Sequence, residues 1–202
     1  MVNSMPKYHH GDLRNALISI ALELLAEEGL HALSLRKMAQ KAGVSHNAPY
    51  MHFADKEAVL VAIAEEGFRL LAIEVESSIS QVSGSTREQL IVASQAYVRF
   101  ALEHPDRVQV MFRPIDEEKH PSLVKTSQAS LNQLFELVKS GQEKKELNAG
   151  DTQAITKAIW AMAHGIAAIS IAYQTSIISS TKLSSEDITA MFVSFLFDGL
   201  AA

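Results

Sequence analysis

Apolar side chains recur along this chain at intervals of three and four residues, the repeat of a helix face, and no stretch alternates long enough to make a strand. Leu13, Leu17, Ala21, Leu24 and Leu25 form the first stripe, with Asp12 placed to cap it and Gly29 to end it. A longer stripe over about 55–78 carries Val59, Leu60, Ile63, Phe68, Leu71 and Val75 behind a capping Asp55. Ser83-Gly84-Ser85 is the clearest break in composition. Beyond it the pattern predicts helices over about 86–103, 105–112, 122–140, 151–174 and 184–199, with Pro114 and Pro121 bracketing a polar loop. The expected fold is all-α, without internal repeats or low-complexity segments.

Residues 34–53 hold two short helical patterns joined by a glycine turn. Ser34 is an N-cap, Leu33 can pack on Met38 as a hydrophobic staple, and Gly43 supplies the left-handed residue that ends a helix running to about residue 41. Ser45 is expected to cap a second helix, whose first turn, His46-Asn47-Ala48, is polar or small and suits base edges better than a core. Leu35, Met38, Ala39, Val44 and Phe53 remain to hold the pair together.

With 202 residues, 48% of them hydrophobic, the chain can bury one core or a small domain beside a larger one. It has no cysteine, which excludes disulfides and thiolate metal sites and fits a cytoplasmic protein. Its start, with Lys7, His9, His10 and Asp12 before any apolar run, is unlike a signal peptide. The apolar run at 158–173 is shorter than the roughly 20 residues of a membrane span, so no membrane partner is expected.

Net charge is −5, yet between residues 30 and 56 Arg36, Lys37, Lys41 and Lys56 face only Asp55. His31, His46 and His52 lie in the same window and add positive charge below about pH 6.5. One basic face on an acidic protein is the footprint of a nucleic-acid contact.

The last two predicted helices are apolar over more than one face. Ile159, Ile166, Ile169 and Tyr173 on one, and Ile188, Met191, Phe192 and Phe195 on the other, are assigned to a homodimer interface built as a four-helix bundle. Two copies would present two reading helices to successive major grooves.

Four segments carry a family resemblance: Leu33-Ser34-Leu35-Arg36, Ala42-Gly43-Val44-Ser45, Tyr50-x-His52-Phe53 and Asp55-Lys56-Glu57. In these the chain resembles the tetracycline-repressor (TetR) family of bacterial transcription regulators. The start at Tyr8-His9-His10-Gly11 and the later Trp160-x-x-x-His164-Gly165 are similar to the subgroup whose body is named for a Trp-His-Gly motif. The resemblance implies a helix-turn-helix DNA-binding head in residues 1–56, a long joining helix, and a ligand-binding and dimerisation body in residues 57–202. It further implies a repressor that binds a palindromic double-stranded operator and is released by a small apolar effector.

Carried over residue by residue, Ser45, His46, Asn47 and Ala48 face the groove, with Asn47 able to pair with adenine and Ala48 to touch a thymine methyl. Tyr50, His52 and Lys56 match phosphate-holding positions, and Ser34, Arg36 and Lys37 complete the expected DNA-binding set. Pro49 departs from the family pattern, at an expected cost of one intrahelical bond. An effector cavity is expected to use Tyr97, Met111, Phe112, Phe135, Met162 and His164.

Plainer roles compete with these. Ser34, Ser45 and Asp55 act as caps with or without DNA, and His164 on an apolar helix more often packs than ligates. A small helical enzyme or metal protein using His9, His10, His104 or His164 is the rival class, but no pairing sits at a spacing that forces convergence. A helical adaptor binding only protein is the other. No metal or cofactor is expected.

Overall fold

The computed structural model describes residues 13–172 and 184–200. Eight α-helices account for most of them: α1 (Leu13–Glu28), α2 (Leu35–Ala42), α3 (Lys56–Ser80), α4 (Thr86–Glu103), α5 (Pro105–Met111), α6 (Pro121–Glu143), α7 (Thr152–Ala172) and α8 (Ser185–Leu200). No described residue is in a strand. The predicted Asp12 cap, the paired histidines 9 and 10, and Tyr173 lie outside the described residues.

Local chemistry sets the head. Gly29 stops α1 at φ 78°, and a 3-10 turn at Leu30–Ala32 leads to Ser34, whose hydroxyl accepts from the Lys37 N–H at 3.2 Å. Gly43, at φ 66°, closes α2, and the next N–H, of Val44, returns to the Ala39 carbonyl at 3.1 Å. Leu17, Leu24, Met38 and Val59 are fully buried between α1, α2 and the start of α3.

The second helix of the motif is shorter than its sequence suggests. Residues 46–48 form a turn and Pro49–Met51 one 3-10 turn, with no α-helix between Gly43 and Asp55. Pro49 is the cause. It has no N–H to donate to the Ser45 carbonyl, so that carbonyl accepts from Ala48 at 3.0 Å, and Tyr50, Met51 and His52 follow with three-residue bonds. Ser45 therefore contributes its carbonyl, and the 3-10 turn that follows has Ala48, without a side-chain cap bond, at its start. The cost of the proline is a change of helix type, larger than the single lost bond expected.

Asp55 then caps α3, its carboxylate accepting from the Ala58 N–H at 2.8 Å. At 25 residues, α3 is roughly 37 Å long at 1.5 Å per residue, and it runs unbroken from head to body. Its buried side chains run from Val59 and Ile63 near its start to Leu71 and Val75, which line a cavity in the body.

Around α4 the body closes. α4 begins with a Ser85–Glu88 capping box and packs against α3, α6, α7 and α8, burying Leu90, Ala96, Val98 and Phe100. α6 starts at Pro121, a first helical position that needs no N–H partner, so this proline both ends the polar loop that runs from Pro114 and opens the helix. Its side chains are buried only near its two ends, at Leu123, Leu137 and Val138, because the middle spans a cavity.

α7 is long and apolar enough to cross a membrane by length and composition alone, but Ile159, Ala163, Ile166 and Ala167 are buried inside the body. This corrects part of the dimer assignment. Ile159 (2% exposed) and Ile166 (7%) face the protomer's own core, since that face of the helix is the one turned towards α4. Ile188 is half-buried, whereas Ile169, Met191, Phe192 and Phe195 stand exposed on α7 and α8.

Candidate functional site

The turn between α2 and α3 presents His46, Asn47, Tyr50, Met51 and His52 to solvent, with Ala48 partly covered and Pro49 buried beneath. The His46 and Tyr50 rings stack, centroids 6.1 Å apart and planes 26° from parallel. Phe53 is core, as its apolar character suggests, and Arg14 lies over its ring at 5.5 Å. Met51 was not singled out from sequence, yet it is 83% exposed, an apolar side chain on the outermost point of the turn. Its position between Tyr50 and His52 was the available signal.

Of the basic residues expected here, only some keep a free charge. Lys37 forms an ion pair with Glu28, and Lys41 with Glu23 and Glu27 at 3.1 and 2.9 Å. The bond to Lys37 holds the Glu28 carboxyl below its ordinary range, and the bond to Glu27 raises Lys41. These pairs are exposed and contribute little stability, but they divert Lys37 and Lys41 towards α1. The Lys56 ammonium donates to the Leu30 carbonyl and ties the start of α3 to the head. Arg36 is exposed, and no side-chain partner for it is found among the described residues.

In the body, a cavity of about 630 Å³ opens among α3, α4, α5, α6 and α7. That is within the usual range for small-molecule sites, about 300–1,000 Å³. Phe68, Leu71 and Val75 of α3 form one wall, so the helix that holds the head is also the cavity's side. Tyr97, Met111 and Phe112 line it as expected. Phe135 and Met162 do not. The lining positions include Leu131 and Leu134 on α6 and Ile159, Trp160, Ala161 and Ala163 on α7.

His164 stands behind that wall. Its Nδ1 is 2.7 Å from the Tyr97 hydroxyl, and its ring stacks on Trp160 with centroids 5.4 Å apart. Phe112 meets it edge-on at 4.7 Å. Burial pushes the Tyr97 phenol above its usual value and holds His164 below the ordinary imidazole range. With both groups neutral, the phenol donates and Nδ1 accepts, leaving the imidazole proton on Nε2. No group of three or more potential metal ligands occurs among the described residues.

A helix-turn-helix head joined by one continuous helix to a cavity-bearing helical body defines the class of the protein. Residues 17–63 match the family model for bacterial regulatory proteins of the tetR family, and residues 90–192 match that for the tetracyclin repressor-like C-terminal domain. The chain belongs to the tetracycline-repressor family.

It is 33% identical over 113 residues to the class D tetracycline repressor protein of Escherichia coli, a match covering 56% of this chain and 50% of that protein. The chain thus spans about half the length of the tetracycline repressors it first matches. It is 24% identical over 152 residues to the fatty acid metabolism regulator protein of Bacillus subtilis (strain 168), covering 74% of this chain and 75% of that one. Among solved structures, a protein of unknown function from Rhodococcus sp. RHA1 superposes with a TM-score of 0.84 at 30% identity, over 98% of this chain and 100% of the other.

Proposed function

We propose that this protein is a ligand-responsive transcriptional repressor that binds a palindromic double-stranded DNA operator as a homodimer and is released by a small, largely apolar effector. The observation that carries the reading is the continuity of α3: Lys56 anchors its first turn to the head, and Phe68, twelve residues on and roughly 18 Å along the same rod, lines the cavity. A ligand that fits only one setting of that wall biases the head by its differential affinity for the two conformers.

Asn47, His46 and Ala48 read base edges, while Arg36, Tyr50 and His52 reach phosphate, with Ser34, Ser45, Lys37 and Lys56 fixing the turn between them. The exposed Ile169, Met191, Phe192 and Phe195 on α7 and α8 form the twofold interface. We take residues 1–56 as the head and 57–202 as the body. The stacked Trp160 and His164, followed by Gly165, support assignment of the body to the Trp-His-Gly subgroup. The relatives are named as regulators, which favours a cytoplasmic DNA-binding role over the enzyme and adaptor readings.

The test is selection of bound duplexes from a random pool, followed by titration of the winning sequence with candidate compounds. An inverted repeat that releases the protein on titration supports the reading. A compound that raises thermal stability while operator affinity stays constant rejects the coupling.

A further inference from the structure

We infer that the body cavity is built for an elongated amphiphile with an anionic head group, its tail among the apolar walls and its carboxylate or phosphate between Arg113 and Lys157. The inference rests on the cavity being the effector site.

Most of the lining is apolar, and its polar members are mainly neutral, such as Ser94, Tyr97, Ser127 and Gln128. Tyr97 is already engaged by His164. The charged lining residues are Arg113, Lys157 and Glu117. Arg113 directly follows Phe112 at the end of α5 and is half-buried; Lys157 lies on α7 one turn before Trp160.

Neither cation has a carboxylate within 4.0 Å among the described residues, Glu117 included, whereas Arg87, Arg99 and Arg107 of the same body each hold one. A half-buried guanidinium beside an apolar hollow has lost part of its hydration without gaining an acid. An incoming anion restores that balance through charge-assisted hydrogen bonds, which a planar guanidinium can make in pairs. Two positive groups against one negative select an anion over a cation, and the walls beyond them leave room for a chain. Each methylene drawn from water into such walls tightens binding about fourfold until the cavity is filled.

The experiment is calorimetric titration of the full-length protein with four probes sharing one tail: decanoate, decyl phosphate, decanol and decyltrimethylammonium, each below its aggregation threshold. Decanoate or decyl phosphate is expected to bind at least tenfold tighter than decanol, with the ammonium weakest, and the tighter of the two anions identifies the head group. Arg113→Gln and Lys157→Gln are expected each to shrink that preference, and Glu117→Gln to enlarge it. Lys157 is exposed, so its variant keeps the test sound if Arg113→Gln fails to fold. Equal affinity for all four probes, or a preference that survives both substitutions, overturns the head-group assignment alone. Binding of none at millimolar concentration overturns it together with the effector reading.

Discussion

The Tyr97 hydroxyl lies 2.7 Å from Nδ1 of His164 and joins α4 to α7 directly behind the cavity wall. Burial keeps that imidazole neutral and holds its pKa below the ordinary imidazole value of about 6.5. Well above 6.5 the group is neutral in both the folded and the unfolded chain, and it has no effect on stability. As pH falls through 6.5 the unfolded chain takes up a proton that the folded chain resists, and stability declines. Denaturant melts from pH 8 to 5 should show this decline, and His164→Gln should flatten it. Tyr97→Phe is expected to cost about 1 kcal/mol at pH 7.5, the net value of one hydrogen bond.

Gly67 lets α5 close on α3. A Cβ there would sit 2.5 Å from Met111 Sδ and 3.1 Å from Arg107 Cγ, and Met111 is buried with the cavity on its other side. Gly67→Ala gains roughly 0.5–1 kcal/mol of helix preference but suffers overpacking of about 1–3 kcal/mol, so a net loss is expected. In a Met111→Ala background the same substitution should become stabilising. Chemical denaturation of the four proteins of that cycle checks the sign reversal.

On the reading turn, Asn47→Ala should relax sequence preference at one base position in a repeated duplex selection. Arg36→Gln should instead weaken all sequences alike and lower the slope of log affinity against log salt by about 0.9. Met51→Ala should leave stability within about 0.5 kcal/mol, because the side chain is 83% exposed, while changing DNA affinity. An Asn47→Ala protein that selects the unaltered site would remove Asn47 from base reading.

Phe195 is 67% exposed and Phe192 45% exposed on α8. Phe195→Asp places a charge where the proposed interface desolvates it and should give monomers in sedimentation velocity with helical content unchanged. Persistence of dimers would move the interface elsewhere.

Most helix positions and approximate ends were legible in the sequence, because apolar spacing and the bonds made by Ser34, Gly43 and Asp55 act within one or two turns; the helix expected at Ser45 is the exception, replaced by a 3-10 turn. His46, Asn47, Tyr50 and His52, which we propose to face DNA, sit exposed on one short segment. Which face of α7 meets which neighbour was not legible in the sequence. Its apolar residues encircle the helix, and periodicity alone could not separate Ile159, buried against α4 and the cavity, from Ile169, left exposed. The effect of Pro49 on helix type comes from its missing N–H, which leaves the Ser45 carbonyl to Ala48.

The sequence by itself determined an all-helical chain with a basic, capped helix-turn-helix head, since those features follow from local hydrogen bonding and side-chain repeat. Only the tertiary structure decided where space was left. The cavity, with Arg113 and Lys157 in its lining, and the Tyr97–His164 bond join residues that are distant along the chain, and the packing of α3, α4, α6 and α7 brings them together. A void is a property of how helices fail to fill the volume between them, and no single helix encodes it.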